Sequence, residues 1–171
     1  MADARLAVPG WVERRCEGGR MGSSEEYAEF RGFFMGEGCL QLSQHRSGCW
    51  VASVCIDLRE DDHRALEWCC SLFGGHVSRK ATPRGHHSKP QARWRAARRE
   101  TVARIVDVLR AGHLPAKKQR EVELMVRALR VLEWPEGPER SQALAELAEA
   151  LRVAKRYFGD LDSINSQWTN L

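Results

Sequence analysis

The sequence predicts an α+β domain with the element order α-β-β-α-β-β-α, followed by C-terminal helices, around a four-stranded antiparallel sheet. Three observations predict it. Two segment pairs alternate apolar and polar residues about a turn, the signature of hairpins with one apolar face. The segments before, between and after them switch to helical spacing. The length of 171 residues is enough for one domain with a real core.

Each element follows from its residues. Residues 1–24 show little periodicity and contain Gly10, Gly18, Gly19 and Gly22, so they read as a loosely ordered arm. Ser23-Ser24-Glu25-Glu26 is a helix start, with serine ahead of acidic first-turn residues. The helix to Gly36 carries Tyr27, Phe30, Phe33 and Phe34 on one side. Residues 39–46 alternate about Leu40 and Leu42, and 50–58 about Trp50, Ala52, Val54, Ile56 and Leu58, with Ser47-Gly48 as the turn. Over 61–73, Leu66, Cys69, Cys70 and Phe73 form a helical stripe that Gly74-Gly75 ends.

The second hairpin pairs 76–80 with 91–96 across the Pro/Gly/His-rich stretch 81–90, where His86-His87 reads as a loop feature. Val102, Ile105, Val106 and Leu109 mark a helix over 99–111, which Gly112 and Pro115 stop. Val122, Met125, Val126 and Leu129 mark the next, over 117–132. After the break at 135–138, Leu144, Leu147, Ala148 and Leu151 mark a last helix over 139–158, followed by a polar tail. The divisions are therefore an arm, 1–24, a core, 25–134, and a C-terminal helix and tail, 135–171.

Composition narrows the function classes. No apolar run reaches 18 residues, so no membrane span is expected, and MADARLAVPG lacks the pattern of a secretory signal. The expected location is intracellular, cytoplasmic or organellar. None of the six cysteines forms a C-x-x-C pair, so they read as small core or neutral positions in a reducing compartment. Net charge is only +4, yet the stretch from His76 to Arg99 holds eight Lys/Arg and no acid. A basic block in a near-neutral chain points to a polyanion partner.

The first helix holds the chemistry. Gly32 and Gly36 lie four apart and leave a bare stripe, at a cost of about 1 kcal/mol per glycine relative to alanine. Such a stripe lets another helix approach almost backbone to backbone. Glu37 follows at the helix end, where a negative charge is disfavoured by the helix dipole. A misplaced acid beside a bare stripe is more readily explained by function than by folding.

Phe30-Arg31-Gly32-Phe33-Phe34-Met35-Gly36-Glu37-Gly38 resembles the nine-residue LAGLIDADG motif of homing endonucleases, in a G-F-F-x-G-E-G form. The element order that follows is similar to that family's core, and the resemblance spans about residues 25–132. It implies a homodimer in which Gly32, Phe33 and Gly36 meet their copies. The two Glu37 carboxylates, with the Gly36 carbonyls, would then bind Mg²⁺ or Mn²⁺ for hydrolysis of duplex DNA at a pseudo-palindromic site. It further implies an active-site lysine, matched by Lys118 or its neighbour Lys117, and a pocket completed by Arg59 or Asp57. The motif's usual first acid is replaced by Met35, and Arg31 stands where a small residue is usual. These departures keep open a non-cleaving, repressor-like DNA-binding protein, and the same family's intron maturases remain a third reading.

The outward strand positions would then meet DNA. They are Gln41, Ser43, His45, Ser53, Ser78, Lys80, Gln91, Arg93 and Arg95, with Lys89 and Arg84 in the long loop. Arginine can bond guanine and glutamine adenine in the major groove, while loop cations hold phosphates.

Overall fold

The structure is a computed structural model in which residues 13–80 and 90–156 are described. The elements run β1 (Arg14–Cys16), α1 (Ser24–Glu37), β2 (Gly38–Gln44), β3 (Trp50–Arg59), α2 (His63–Phe73), β4 (Gly75–Lys80), β5 (Gln91–Ala96), α3 (Arg99–Arg110), α4 (Ala116–Val131) and α5 (Pro138–Arg156). A 3₁₀ turn at Glu60–Asp62 leads into α2, where the sequence suggested one continuous helix from residue 61. The expectations for Arg84, His86, His87, Lys89 and the polar tail fall outside the described residues.

All strands join one antiparallel sheet in the order β1-β4-β5-β3-β2. It has one strand more than the four expected. The extra strand comes from the segment read as a loose arm: Arg14, Arg15 and Cys16 pair with Val77, His76 and Gly75. Three residues are too few to show alternation, so no period marks the strand. The segment after it is also held. The Arg20 N–H donates to the Ser71 carbonyl at 3.2 Å. Gly19 lies so close to α2 that an added Cβ would stand 2.3 Å from the Leu72 carbonyl oxygen, so only glycine fits there.

The core forms where inward strand residues meet the helices. Leu40, Val54, Ile56, Val77 and Trp94 pack with Phe30, Phe34, Leu66, Phe73, Ile105 and Leu109, all essentially inaccessible. Phe30 sits at its centre, with ring centroids 4.5 Å from Phe73 and 6.2 Å, edge-on, from Trp94. The Trp94 indole N–H donates to the Gly74 carbonyl at 2.9 Å, satisfying a buried donor. Gly74 and Gly75 both have positive φ, which lets the chain reverse from α2 into β4. Cys55, Cys69 and Cys70 are buried as expected, and burial pushes the Cys70 thiol up to about 12. α5 lies beside edge strand β2, where Lys155 donates to the Leu40 carbonyl, so that edge is covered.

Candidate nuclease site and nucleic-acid interface

α1 starts on a capping box: the Ser23 hydroxyl accepts from the Glu26 N–H at 3.2 Å, and the Glu26 carboxylate accepts from the Ser23 N–H at 2.9 Å. Its aromatic side anchors it. Phe30 and Phe34 are fully buried, and Tyr27 accepts from the Gly22 N–H at 3.0 Å. The opposite side is open. Every fourth residue there, Ala28, Gly32 and Gly36, is small and exposed, and a Cβ added at either glycine would meet nothing within 4 Å. Glu37 is exposed at the end of this stripe, one residue before β2 begins.

Phe33 does not lie squarely on the stripe. It is half-buried, with its ring 6.5 Å from that of Trp68, so at most its edge reaches the open face. Met35, 37% exposed, supplies the apolar surface beside the glycines instead. Arg31 leaves the stripe altogether. It crosses Gly112 and donates to the Val108 carbonyl at 3.4 Å, near the end of α3. Its bulk therefore does not obstruct approach to Gly32 and Gly36.

Lys118 comes to this corner from the start of α4. Its ammonium donates to the Gly38 carbonyl at 2.6 Å, lies 5.2 Å from the Phe34 ring centre and stands 3.5 Å from Glu121, whose side chain is 2% exposed. α1 has no basic residue in its last turn, so Lys118 is the cation that faces its negative end. Lys117 makes no hydrogen bond or ion pair among the described residues. Arg59 is exposed on the 3₁₀-turn side of β3 and ion-paired with Asp61.

Among the described residues no three His, Cys, Asp or Glu side chains cluster as a metal site. Glu37 is a single hard oxygen donor, joined by the helix-terminal carbonyls that lack intrahelical partners. That donor set fits Mg²⁺ or Mn²⁺, which prefer oxygen, but one copy supplies too few ligands to hold an ion alone.

The sheet's outer face carries the DNA-reading candidates, with corrections. Ser53 faces outward but is completely buried, with its hydroxyl unpaired, so it cannot touch a ligand on this surface. Arg93 and Lys80 are not free cations. Arg93 grips Asp57 through two bonds, 2.6 and 2.8 Å, and Lys80 reaches the same carboxylate at 2.7 Å. The Arg93 hydrogen bonds, with Lys80 assisting, hold the Asp57 carboxyl down to about 2. Periodicity placed all three on one face, but register alone put Asp57 opposite Arg93. Ser43, His45 and Arg95 are exposed, whereas Gln41, Ser78 and Gln91 are half-buried. His45 lies in the turn beyond the last β2–β3 pair, and its Nδ1 is 3.3 Å from the Ser47 hydroxyl.

No protein-family model and no curated protein sequence matches the chain. Solved structures do. The homing endonuclease I-TnaI aligns with a TM-score of 0.57 at 19% identity, over 82% of this chain and 93% of its own. I-CvuI, crystallised with its target and calcium, aligns at 0.65 and 14%, over 80% and 85%. The LAGLIDADG meganuclease I-AabMI, bound to uncleaved DNA, aligns at 0.61 and 20% over 83% of this chain but 48% of its own. The open glycine stripe, the acid at its end and the antiparallel sheet thus sit in a chain that has the fold of the LAGLIDADG homing endonucleases.

Proposed function

We propose that the chain is a site-specific, divalent-metal-dependent endonuclease of double-stranded DNA that acts as a homodimer. One observation carries this reading: Glu37 stands exposed at the end of a helix whose open side is a stripe of small residues. Two copies of α1 packed along that stripe bring their Glu37 carboxylates together. Neither carboxylate is buried in the single chain, so the pair forms at the seam between copies, beside the outer face of each sheet. Two like charges held close repel, which favours binding of divalent cations between them.

Glu37 and the Gly36 carbonyl of each copy would hold Mg²⁺ or Mn²⁺. Bound there, such ions would supply activation of water and stabilisation of the leaving oxygen. Lys118 acts as a positioning residue. By clamping the Gly38 carbonyl it fixes the junction from which Glu37 projects, and its charge offsets the helix end. Arg59, whose partner Asp61 is itself exposed, is the cation that DNA can recruit at low cost. The outer sheet face contributes Gln41, Ser43, Ser78, Gln91, Arg93 and Arg95 to the duplex, with Arg93 delivered only if Asp57 releases it.

Selection of cleaved sites from a random duplex library with Mg²⁺ tests the proposal. Wild-type protein is expected to yield one roughly palindromic site, and Glu37→Gln to bind that site without cutting it. A wild type that yields no cleaved site with either ion, yet enriches one sequence when the same library is selected for binding, refutes the nuclease reading and favours a repressor-like protein. Equal cutting by Glu37→Gln removes that residue from the chemistry.

A further inference from the structure

Positive charge on the outer face is unevenly available. Arg93 and Lys80 share the single carboxylate of Asp57 and are held by it. Arg15, Arg95 and Arg98 have no acidic partner among the described residues. Strand register brings these cations together. Arg15 on β1 pairs with His76 on β4, and His76 with Arg95 on β5, so the three share one row and one face. They line an open groove of about 870 Å³ with Arg93, Arg98 and one acid, Glu13. Arg15 and Arg95 are two strand spacings apart, about 10 Å, or roughly three base-pair rises along one DNA strand.

β1 is held in place rather than hanging free, by its ladder to β4 and by the close approach of Gly19 to α2. It forms the sheet edge opposite β2, the strand into which α1 runs. A dimer joined through α1 therefore carries its two β1 strands toward the outer ends of the bound duplex.

We propose that β1 is a DNA-contacting strand, with Arg15, beside Arg98, extending the row that Arg95 begins on β5 and taking up backbone phosphates of the duplex flanking the part met by the central strands. This rests on the DNA-binding reading above. It extends the footprint through a strand that supplies charge and fixed position rather than base recognition, since phosphate contacts carry no sequence information directly.

The test is binding of the full chain to mixed-sequence duplexes of roughly 20 and 40 base pairs across a salt series, long enough for one and two faces of contact. Wild type is expected to gain affinity on the longer duplex. Arg15→Ala is expected to lose most of that gain and to flatten the slope of log affinity against log salt by about 0.9 per copy. Arg15→Lys is expected to restore both, which a purely structural role for the arginine would not predict. An Arg15→Ala protein with wild-type slope and length dependence overturns the inference while leaving DNA binding intact. Equal loss on both lengths also overturns it, by moving Arg15 to the central contacts. Failure of wild type to bind either duplex at low salt overturns the DNA-binding reading itself.

Discussion

Gly32→Ala separates a free α1 from a paired one, because the two cases predict opposite signs. In the single chain a Cβ at Gly32 meets nothing within 4 Å, and the residue lies in the interior of a 14-residue helix. Replacing glycine there by alanine stabilises an isolated helix by about 1 kcal/mol. For a chain of this size that raises Tm by roughly 2–4 °C. In the dimer the same methyl group points at the partner's backbone. Overpacking costs typically 1–3 kcal/mol per site. With the change present in both copies, about 2 kcal/mol is a conservative figure, a dimer roughly thirty-fold weaker. The assay is paired: thermal melting at concentrations where the chain is monomeric, and sedimentation across a dilution series. A higher Tm with a weaker dimer is expected. A dimer of undiminished affinity would refute the packing argument, whatever happened to Tm.

Three further outcomes follow from the site. Asp57→Asn frees Arg93 and Lys80 and adds one positive charge per chain, so DNA binding should tighten at low salt and its salt slope steepen; unchanged binding would show that DNA does not meet these side chains. The same pairing sets a pH dependence. The folded Asp57 pKa is depressed to about 2, so its stabilisation is present above the unfolded carboxylate value, near 4, and is lost as pH falls through about 2. Partial exposure of all three side chains discounts the gain to about 1 kcal/mol, measurable as the difference in urea stability between wild type and Asp57→Asn at pH 7 that closes near pH 2. Lys118→Met leaves Glu121 buried without its cation and should cost about 3–5 kcal/mol, which Lys118→Met with Glu121→Leu should largely recover; an unchanged Tm in the single variant would deny the pair any structural weight.

Much of this was legible in the sequence, for identifiable reasons. Strands β3 and β5 and helices α3 and α4 announce themselves through clean periods, and Gly48, Pro90, Gly112 and Pro115 each lie within two residues of one of their ends. The bare stripe and Glu37 were legible because glycine spacing and a helix-end acid need no tertiary information. What escaped depends on contacts between distant segments. β1 is too short to show a period and exists because Gly19 lets the chain lie against α2. The capture of Arg93 by Asp57 requires the β3–β5 register. The burial of Ser53 arises mid-sheet, where alternation predicts the face but not the accessibility. Arg31 read as an obstacle at the motif's second position, and only the nearness of α3 shows where its side chain goes.

The account stands on two α1 helices meeting, and native mass measurement of the full chain on a short selected duplex tests that most directly. Two chains per duplex, each of 19.4 kDa, are predicted, with the count falling toward one in a Gly32→Leu, Gly36→Leu variant. A wild-type complex saturating at one chain per duplex, still competent to cut both strands, would contradict it.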